Sequence, residues 1–313
     1  MHTIGVDIGG TKIAAGVVDE NGVILAKTRT HTVAVDSGSV DRAVVAVCRE
    51  LASEYQVGAI GLAAPGFVSS DQATVLFTPN LPWRDHRLRD RVATEFPGVR
   101  IVVENDANAA GWAEFRFGAG RDVHDMLLLT VGTGLGGALV VGGRLVRGAW
   151  GVAAEVGHLR VVPGGHLCGC GLRGCWEQYT SGSALVRDAR LAAQDDPAGA
   201  ARLLELGGGS VAGIGGPHVT QAAQEGDPLA IALLAELGRW IGEGCASVAA
   251  LLDPALIVIG GGVGAAGPLL LEPARTAFGA QLSGQGHRPV ADFALASMGN
   301  DAGIVGAADL ARL

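Results

Sequence analysis

A short pattern occurs twice in this chain and constrains its fold more than any other feature. Val6-Asp7-Ile8-Gly9-Gly10-Thr11 closes one apolar run and precedes another, Ile13–Val18. Leu129-Thr130-Val131-Gly132-Thr133-Gly134 does the same within Met126–Val146. Each copy reads as a strand, a turn of small residues and a second strand, closed by a hairpin signal: Asn21-Gly22 in the first copy, Gly142-Gly143 in the second. An internal repeat of this kind predicts two related domains facing each other. At roughly 150 residues per domain, a chain of 313 residues agrees with two.

The rest of the chain alternates strand and helix patterns. Thr3–Val6, Val23–Ala26, Val57–Ala64 and Val99–Val103 read as strands, the third ending at Pro65-Gly66 and the fourth running into Glu104-Asn105-Asp106. Val40–Tyr55 has helical spacing, with Val44, Val47, Leu51 and Tyr55 on one face, and Leu88–Phe96 is a shorter helix. Ser181–Leu206 and Pro228–Leu252 are helical, the strand Ala255–Ile259 leads into Gly260-Gly261-Gly262, and Asp301–Leu313 closes the chain as a helix. An α/β chain results, with a hinge expected near residue 110. The small domain is expected at 1–110 with the C-terminal helix of about 300–313, and the large domain at 111–299.

Composition removes several classes of function. With 23 basic and 31 acidic side chains the net charge is −8, against the basic clusters that sequence-independent nucleic-acid binding needs. Aromatic residues are 4%, too few for a platform stacking single-stranded bases. Hydrophobic residues at 49% and charged residues at 17% exclude global disorder. The 50 glycines follow no Gly-X-Y period, so they predict tight turns and close backbone approaches. Met1–Asp7 has no basic leader. The uncharged run Met126–Gly143 carries six glycines and two threonines, a poor membrane span. A cytoplasmic protein with no membrane partner is expected.

Four polar sites follow apolar strands. Asp7-Ile8-Gly9-Gly10-Thr11-Lys12 offers free backbone N–H groups, a hydroxyl and a cation to phosphate oxygens, and Gly132-Thr133-Gly134-Leu135-Gly136-Gly137 offers the same donors without the lysine. Either alone reads equally well as a tight β-turn; the matched contexts favour phosphate. Neither fits the Walker pattern, and Gly132–Gly137 opens no helix as a dinucleotide fingerprint should. In Glu104-Asn105-Asp106-Ala107-Asn108, a carboxylate beside an amide suits holding a polyol and accepting a hydroxyl proton. A helix cap is a compatible reading. His158 with Cys168, Cys170 and Cys175 supplies one imidazole and three thiolates, a closed tetrahedral zinc set, with Glu155 and Glu177 alongside. Four protein ligands leave no water site, so the metal is structural rather than that of a zinc hydrolase. Cys48 and Cys245 read as core; His166 lies inside the loop as an alternate ligand by position, but three thiolates and His158 already fill the site; Trp176 either packs or stacks beside the pocket.

Together these motifs resemble the ROK family of sugar kinases and repressors, in the actin-like ATPase superfamily, over nearly the whole chain. Asp7–Lys12 resembles its first phosphate motif, Gly132–Gly137 its second and Gly260–Val263 its adenosine-side motif. Glu155-Val-Gly-His158 with Cys168-Gly-Cys170-Gly-Leu-Arg-Gly-Cys175-Trp-Glu177 resembles its sugar-and-zinc signature. The resemblance implies two RNase H-like α/β domains with an interdomain cleft for the sugar and a structural zinc loop in the larger domain. It implies Asp106 as general base. Asn80, Asn105, Glu155, His158 and Glu177 are then on the ring hydroxyls, with Pro65 and Gly66 closing one side. Asp7 is expected to orient Mg²⁺ through water. Gly9, Gly10, Thr11, Lys12, Gly132, Thr133, Gly134 and Gly136 are expected on the phosphates, with Gly260, Gly261, Gly262 and Val263 on the adenosine side. Because the first motif begins at residue 7, no helix-turn-helix is expected ahead of it, which disfavours a repressor. Thr78-Pro79-Asn80-Leu81-Pro82-Trp83-Arg84-Asp85 resembles the segment of ATP-dependent bacterial glucokinases. The implied reaction is ATP-dependent conversion of glucose to glucose 6-phosphate, a glycolytic step. N-acetylmannosamine or N-acetylglucosamine are alternative acceptors, and a non-catalytic sugar-responsive binding protein is the alternative of another class. Family members are commonly homodimers or homotetramers.

Overall fold

The computed structural model describes residues 2–32 and 35–313. Met1, Val33 and Ala34, which belong to the expected segment 1–110, lie outside the described residues. The chain divides into two compact units. One is Met1–His124 with Ala138–Ala154 and Ser297–Leu313; the other is Asp125–Gly137 with Glu155–Ala296.

The first unit opens with an antiparallel hairpin, β1 (His2–Ile8), β2 (Lys12–Val18) and β3 (Ile24–His31). Helix α1 (Ser37–Ala52) starts at Asp36, whose side chain accepts from the Ser39 amide in a capping box, and it buries Val40, Val44, Val47 and Leu51 at helical spacing. Strand β4 (Val57–Ala64) then pairs parallel to β1. A small antiparallel sheet, β5 (Phe67–Val68), β6 (Val75–Phe77) and β7 (Arg84–His86), precedes α2 (Leu88–Ala93). Strand β8 (Arg100–Asn105) pairs parallel to β4 and passes directly into α3 (Asp106–Phe117), capped by the Asn105 side chain.

The second sheet starts with β9 (Met126–Val131), β10 (Leu135–Val141) and β11 (Arg144–Leu145). Helices α4 (Gly182–Asp195), α5 (Ala201–Leu206), α6 (Gly216–Gln224) and α7 (Pro228–Leu252) follow. Strand β12 (Leu256–Gly260) is parallel to β9, and after α8 (Pro268–Gln281) strand β13 (Asp292–Leu295) is parallel to β12. Helix α9 (Ala302–Arg312) ends the chain. The first sheet has the order β3-β2-β1-β4-β8 and the second β11-β10-β9-β12-β13. The duplicated sequence pattern thus occupies equivalent strands, and each hairpin is extended by two parallel strands. Central strands are apolar along both faces, as sheets covered on both sides require.

Within the first unit, α9 lies against the sheet with almost no side chain between. A Cβ on Gly5 would sit 1.8 Å from the Ile304 carbonyl oxygen, and one on Gly61 equally close to that of Ala307. The glycine excess serves such contacts. The hinge expected near residue 110 falls inside α3. That helix is held in the first unit by Glu114, which accepts from the Met298 amide at 2.7 Å and the Ser297 hydroxyl at 3.1 Å. The helical pattern over Ser181–Leu206 is two helices, because Asp196 precedes Pro197 and the pre-proline position disfavours helix. Helix α1 ends at Ala52, and Tyr55 reaches the core from the turn beyond it, edge-on to His2. None of the helices described is long and apolar enough to cross a membrane.

Candidate functional site

In the first unit the candidate residues gather at the C-terminal ends of β1, β4 and β8. Asp7 is the penultimate residue of β1, and the turn from Gly9 closes with its amide donating to the Lys12 carbonyl at 2.9 Å, leaving Gly10, Thr11 and Lys12 exposed. Burial pushes the Asp7 carboxyl above its ordinary value, and the charges of Lys12 and Lys27 pull it back. A desolvated carboxylate of this kind gains from a cation. Asn80 lies beside this turn, its Cβ 3.5 Å from where a Gly10 Cβ would stand.

Asn105 and Asp106 sit where β8 becomes α3. The Asn105 Oδ1 accepts from the Asn108 amide at 2.9 Å, and its Nδ2 donates to the Gly66 carbonyl at 2.9 Å. Asn105 is thus the helix cap, and its amide ties the loop after β4 to the same corner. Asp106 is the first helical residue, half-buried, with Oδ1 accepting from the Ala107 amide at 2.9 Å.

The second unit carries the other glycine turn and a large cavity. The Gly132 amide donates to the Gly134 carbonyl at 3.0 Å, and the Gly132 carbonyl accepts from Gly182 at the start of α4 at 2.7 Å. A cavity of about 1020 Å³ opens here, lined by Gly132, Thr133, Gly182, Gly216, Gly262 and Val263, with side walls from α4 and α6. Backbone amides of the turn and of the helix N-terminus suit phosphates, and the volume suits a nucleotide. Gly136 lies in β10 and Gly260 in β12, neither lining the cavity, and Gly261 is left-handed (φ 84°) against the Val131 backbone.

Glu155, His158 and Glu177 come together in the second unit. Burial raises the Glu155 carboxyl, His158 pulls it back, and the Glu177 charge adds to the rise. Glu177 also approaches the glycine turn, with Oε2 2.9 Å from where a Gly134 Cβ would stand.

The imidazole and three thiols of the cysteine loop converge as their spacing predicts. One ligand atom from each of His158, Cys168, Cys170 and Cys175 lies within 4.8 Å of all the others. Cys170 Sγ is 3.6 Å from Cys175 Sγ, and Cys168 Sγ is 3.8 Å from His158 Nδ1. Zinc–sulfur bonds of about 2.3 Å in a tetrahedron place sulfurs about 3.8 Å apart, so the donor set fits. Burial pushes the Cys168 and Cys175 thiols up, which a bound cation reverses by holding them as thiolates. The loop needs Gly174, at φ 80°, because a Cβ there would lie 1.7 Å from the Val162 carbonyl oxygen. His166 is not among the four: its ring packs on Tyr179, whose hydroxyl accepts from the His166 amide at 3.0 Å. Trp176 packs: it is fully buried, and its Nε1 donates to the Trp240 carbonyl at 2.9 Å.

Two contributions carry no clear sequence signal. The α4 and α6 walls of the cavity include Val186, Arg187, Thr220 and Gln221, and α6 opens on Gly215-Gly216-Pro217, which reads as loop. Buried Glu104 pairs with half-buried Arg147, Nε to Oε2 at 2.6 Å, across 43 residues of chain.

A model of the ROK family matches residues 3–313. The glucokinase of Streptomyces coelicolor is 48% identical over 310 residues, 99% of this chain and 97% of that protein. Among solved structures, a ROK family glucokinase from Streptomyces griseus in complex with glucose and AMPPNP is 51% identical, with a TM-score of 0.90 over 100% of this chain and 99% of that one. The ROK hexokinase from Thermus thermophilus is 34% identical, with a TM-score of 0.81 over 100% of this chain and 98% of that one.

Proposed function

The chain belongs to the ROK family, and from that premise we propose that it transfers the terminal phosphoryl group of MgATP to glucose, giving ADP and glucose 6-phosphate. The observation that carries this reading is the full-length likeness to a family glucokinase whose structure holds glucose and AMPPNP. The equal strand orders of the two sheets support reading them as RNase H-like domains of the actin-like ATPase kind.

In this reading Asp106 accepts the proton of the sugar's primary hydroxyl as that oxygen forms its bond to the γ-phosphorus. The bond from the γ-phosphorus to the bridging oxygen breaks, and ADP leaves with the electron pair. Phosphoryl transfer asks for alignment and charge stabilisation more than covalent chemistry from the protein. Lys12 and the amides of Gly9–Thr11 and Gly132–Gly134 would hold phosphate oxygens, Asp7 would orient Mg²⁺, and Gly260–Val263 would lie on the adenosine side. Asn80, Asn105, Glu155, His158 and Glu177 hold the ring hydroxyls, with the backbone of Pro65-Gly66 beside them. The Nδ1 of His158 faces the thiols, which leaves Nε2 for a hydroxyl and fixes the ring's tautomer. The zinc supplies folding energy and orientation to this loop and takes no part in the transfer. A homodimer or homotetramer in the cytoplasm, where ATP is the donor, completes the proposal.

The test is ADP release from MgATP with glucose, N-acetylglucosamine, N-acetylmannosamine and fructose in parallel. Turnover confined to glucose is expected. Preference for an N-acetyl sugar would correct the acceptor, and tight sugar binding without ADP release would replace the kinase by a sensor.

A further inference from the structure

Four donors converge on one carboxylate next to the proposed base. Glu104, 2% exposed at the end of β8, accepts through Oε1 from the Asn105 amide at 3.1 Å and from Asn108 Nδ2 at 3.0 Å. Its Oε2 accepts from Arg147 Nε at 2.6 Å and from Gln72 Nε2 at 3.2 Å. One oxygen therefore serves the β8–α3 corner that carries Asn105 and Asp106, and the other serves two loops. The first loop is the turn after β5, where the Gln72 amide donates to the Ser69 carbonyl and the Gln72 carbonyl accepts from the Val103 amide at 3.1 Å. The second follows β11 and is closed by the Ala153 amide on the Arg147 carbonyl at 3.0 Å. The two loops also meet each other, since a Cβ on Gly151 would stand 2.2 Å from the Val68 carbonyl oxygen.

A buried carboxylate persists only when it is paired and its lone pairs are filled, and here both oxygens are filled. The Arg147 bond is short and charge-assisted, so its direction is well defined. The ladder of β8 to β4 is made by backbone groups, so the side-chain bonds of Glu104 reach outward from the sheet to the corner and the two loops.

We propose that Glu104 and Arg147 are a positioning pair for phosphoryl transfer. They hold the corner bearing Asn105 and Asp106 against the two loops, so that the Asp106 carboxylate keeps its aim on the acceptor hydroxyl. The proposal rests on the reading of Asp106 as the base. Reactive groups must be held within about 0.5 Å of their productive positions, and a displacement of about 1 Å can cost about 100-fold in rate.

The test is a double-mutant cycle on the full-length zinc-loaded protein. Glu104→Gln keeps one acceptor oxygen and replaces the other by an NH2 donor, so either the Arg147–Gln72 side or the Asn105–Asn108 side is left facing a donor. It is expected to lower kcat with glucose by about 10- to 100-fold while KM for MgATP stays within about twofold. In an Asp106→Asn background the same change is expected to cost less than about twofold, because the group it aims is already absent. A merely structural role for Glu104 produces equal losses in both backgrounds, and that additivity overturns the proposal. If Glu104→Gln does not fold, Arg147→Lys, which keeps the charge and loses the Nε geometry, takes its place in the same cycle with the same two outcomes. A wild-type protein inactive on glucose, or an Asp106→Asn variant at wild-type rate, fails the functional reading and this proposal with it. Normal wild-type kinetics with additive losses overturns this proposal alone.

Discussion

Replacing Gly244 by alanine should destabilise the protein, although it replaces a glycine within a long helix. Gly244 lies in α7 against the indole of Trp176, and a Cβ there would stand 2.1 Å from Cε2 and Cζ2 and 2.6 Å from Nε1. Carbon atoms in contact are ordinarily about 3.5–4.0 Å apart, so the ring has to retreat by about 1.5 Å. It has little room to do so. Trp176 is fully buried, its Nε1 donates to the Trp240 carbonyl at 2.9 Å, and its amide donates to the Leu159 carbonyl at 2.7 Å. Helix propensity alone favours alanine by about 1 kcal/mol. Overpacking costs about 1–3 kcal/mol, and a weakened indole hydrogen bond about 1 kcal/mol more, so a net loss of about 1–3 kcal/mol is expected. For a unit of this size that is a fall of about 2–4 °C in Tm per kcal/mol. Because Trp176 stands between Cys175 and Glu177, zinc content should fall and KM for glucose should rise in the same variant. The control is Gly279→Ala on α8, where a Cβ meets nothing within 4 Å, so Tm should rise slightly. Thermal unfolding of both variants with metal analysis decides the matter. A Gly244→Ala protein that gains stability in parallel with Gly279→Ala refutes the packing argument.

Cys175→Ser should strip the metal and, since a structural zinc contributes on the order of 10 kcal/mol, leave residues 158–178 open to proteolysis, as a strong chelator should in the wild type; an unchanged digestion pattern counts against a structural role. Asp7→Asn should raise Tm at pH 7 while abolishing turnover. Burial raises the folded pKa of Asp7 above its ordinary 3.8, so its contribution to stability is full below that value and is lost as pH rises through the folded pKa. The Tm gain of the variant should therefore shrink as pH is lowered toward 4, and a gain independent of pH contradicts this. Val186→Trp should fill part of the cavity lined by α4 and raise KM for MgATP by about tenfold or more with KM for glucose unchanged, which initial-rate kinetics on both substrates will check.

Local features of this protein are readable in its sequence because their determinants are close together in the chain. The zinc ligands fall within eighteen residues, the glycine turns follow their own strands, and the repeated hairpin reappears as two sheets of the same strand order. Pro228 after Asp227 marks the start of α7, whose Asp227 side chain caps the Ala230 amide. Other features are set by tertiary packing and leave no local trace. Helix α6 starts at Gly216 after the cap Gly215, and α8 contains Pro273 in its interior, so their propensities read as loop although burial makes them helices. The hinge near residue 110 is placed there because the sequence carries no charged low-complexity linker to mark a boundary. The contacts of Glu114 with Ser297 and Met298, which keep α3 in the first unit, join residues more than 180 positions apart. The pair of Glu104 and Arg147 is hidden for the same reason. Trp176 looks like a residue that could stack in the pocket until the fold shows Gly244 and the Trp240 carbonyl enclosing its ring.

The most direct test of the central claim is a single-turnover comparison of the wild type with Asp106→Asn, both saturated with glucose and MgATP, with sugar binding measured separately by calorimetry. Glucose binding should survive in the variant while phosphoryl transfer falls by about 10²- to 10⁴-fold, the range for loss of a general base. Transfer at near wild-type rate in Asp106→Asn, with glucose bound, would contradict the assignment of the β8–α3 corner as the catalytic centre.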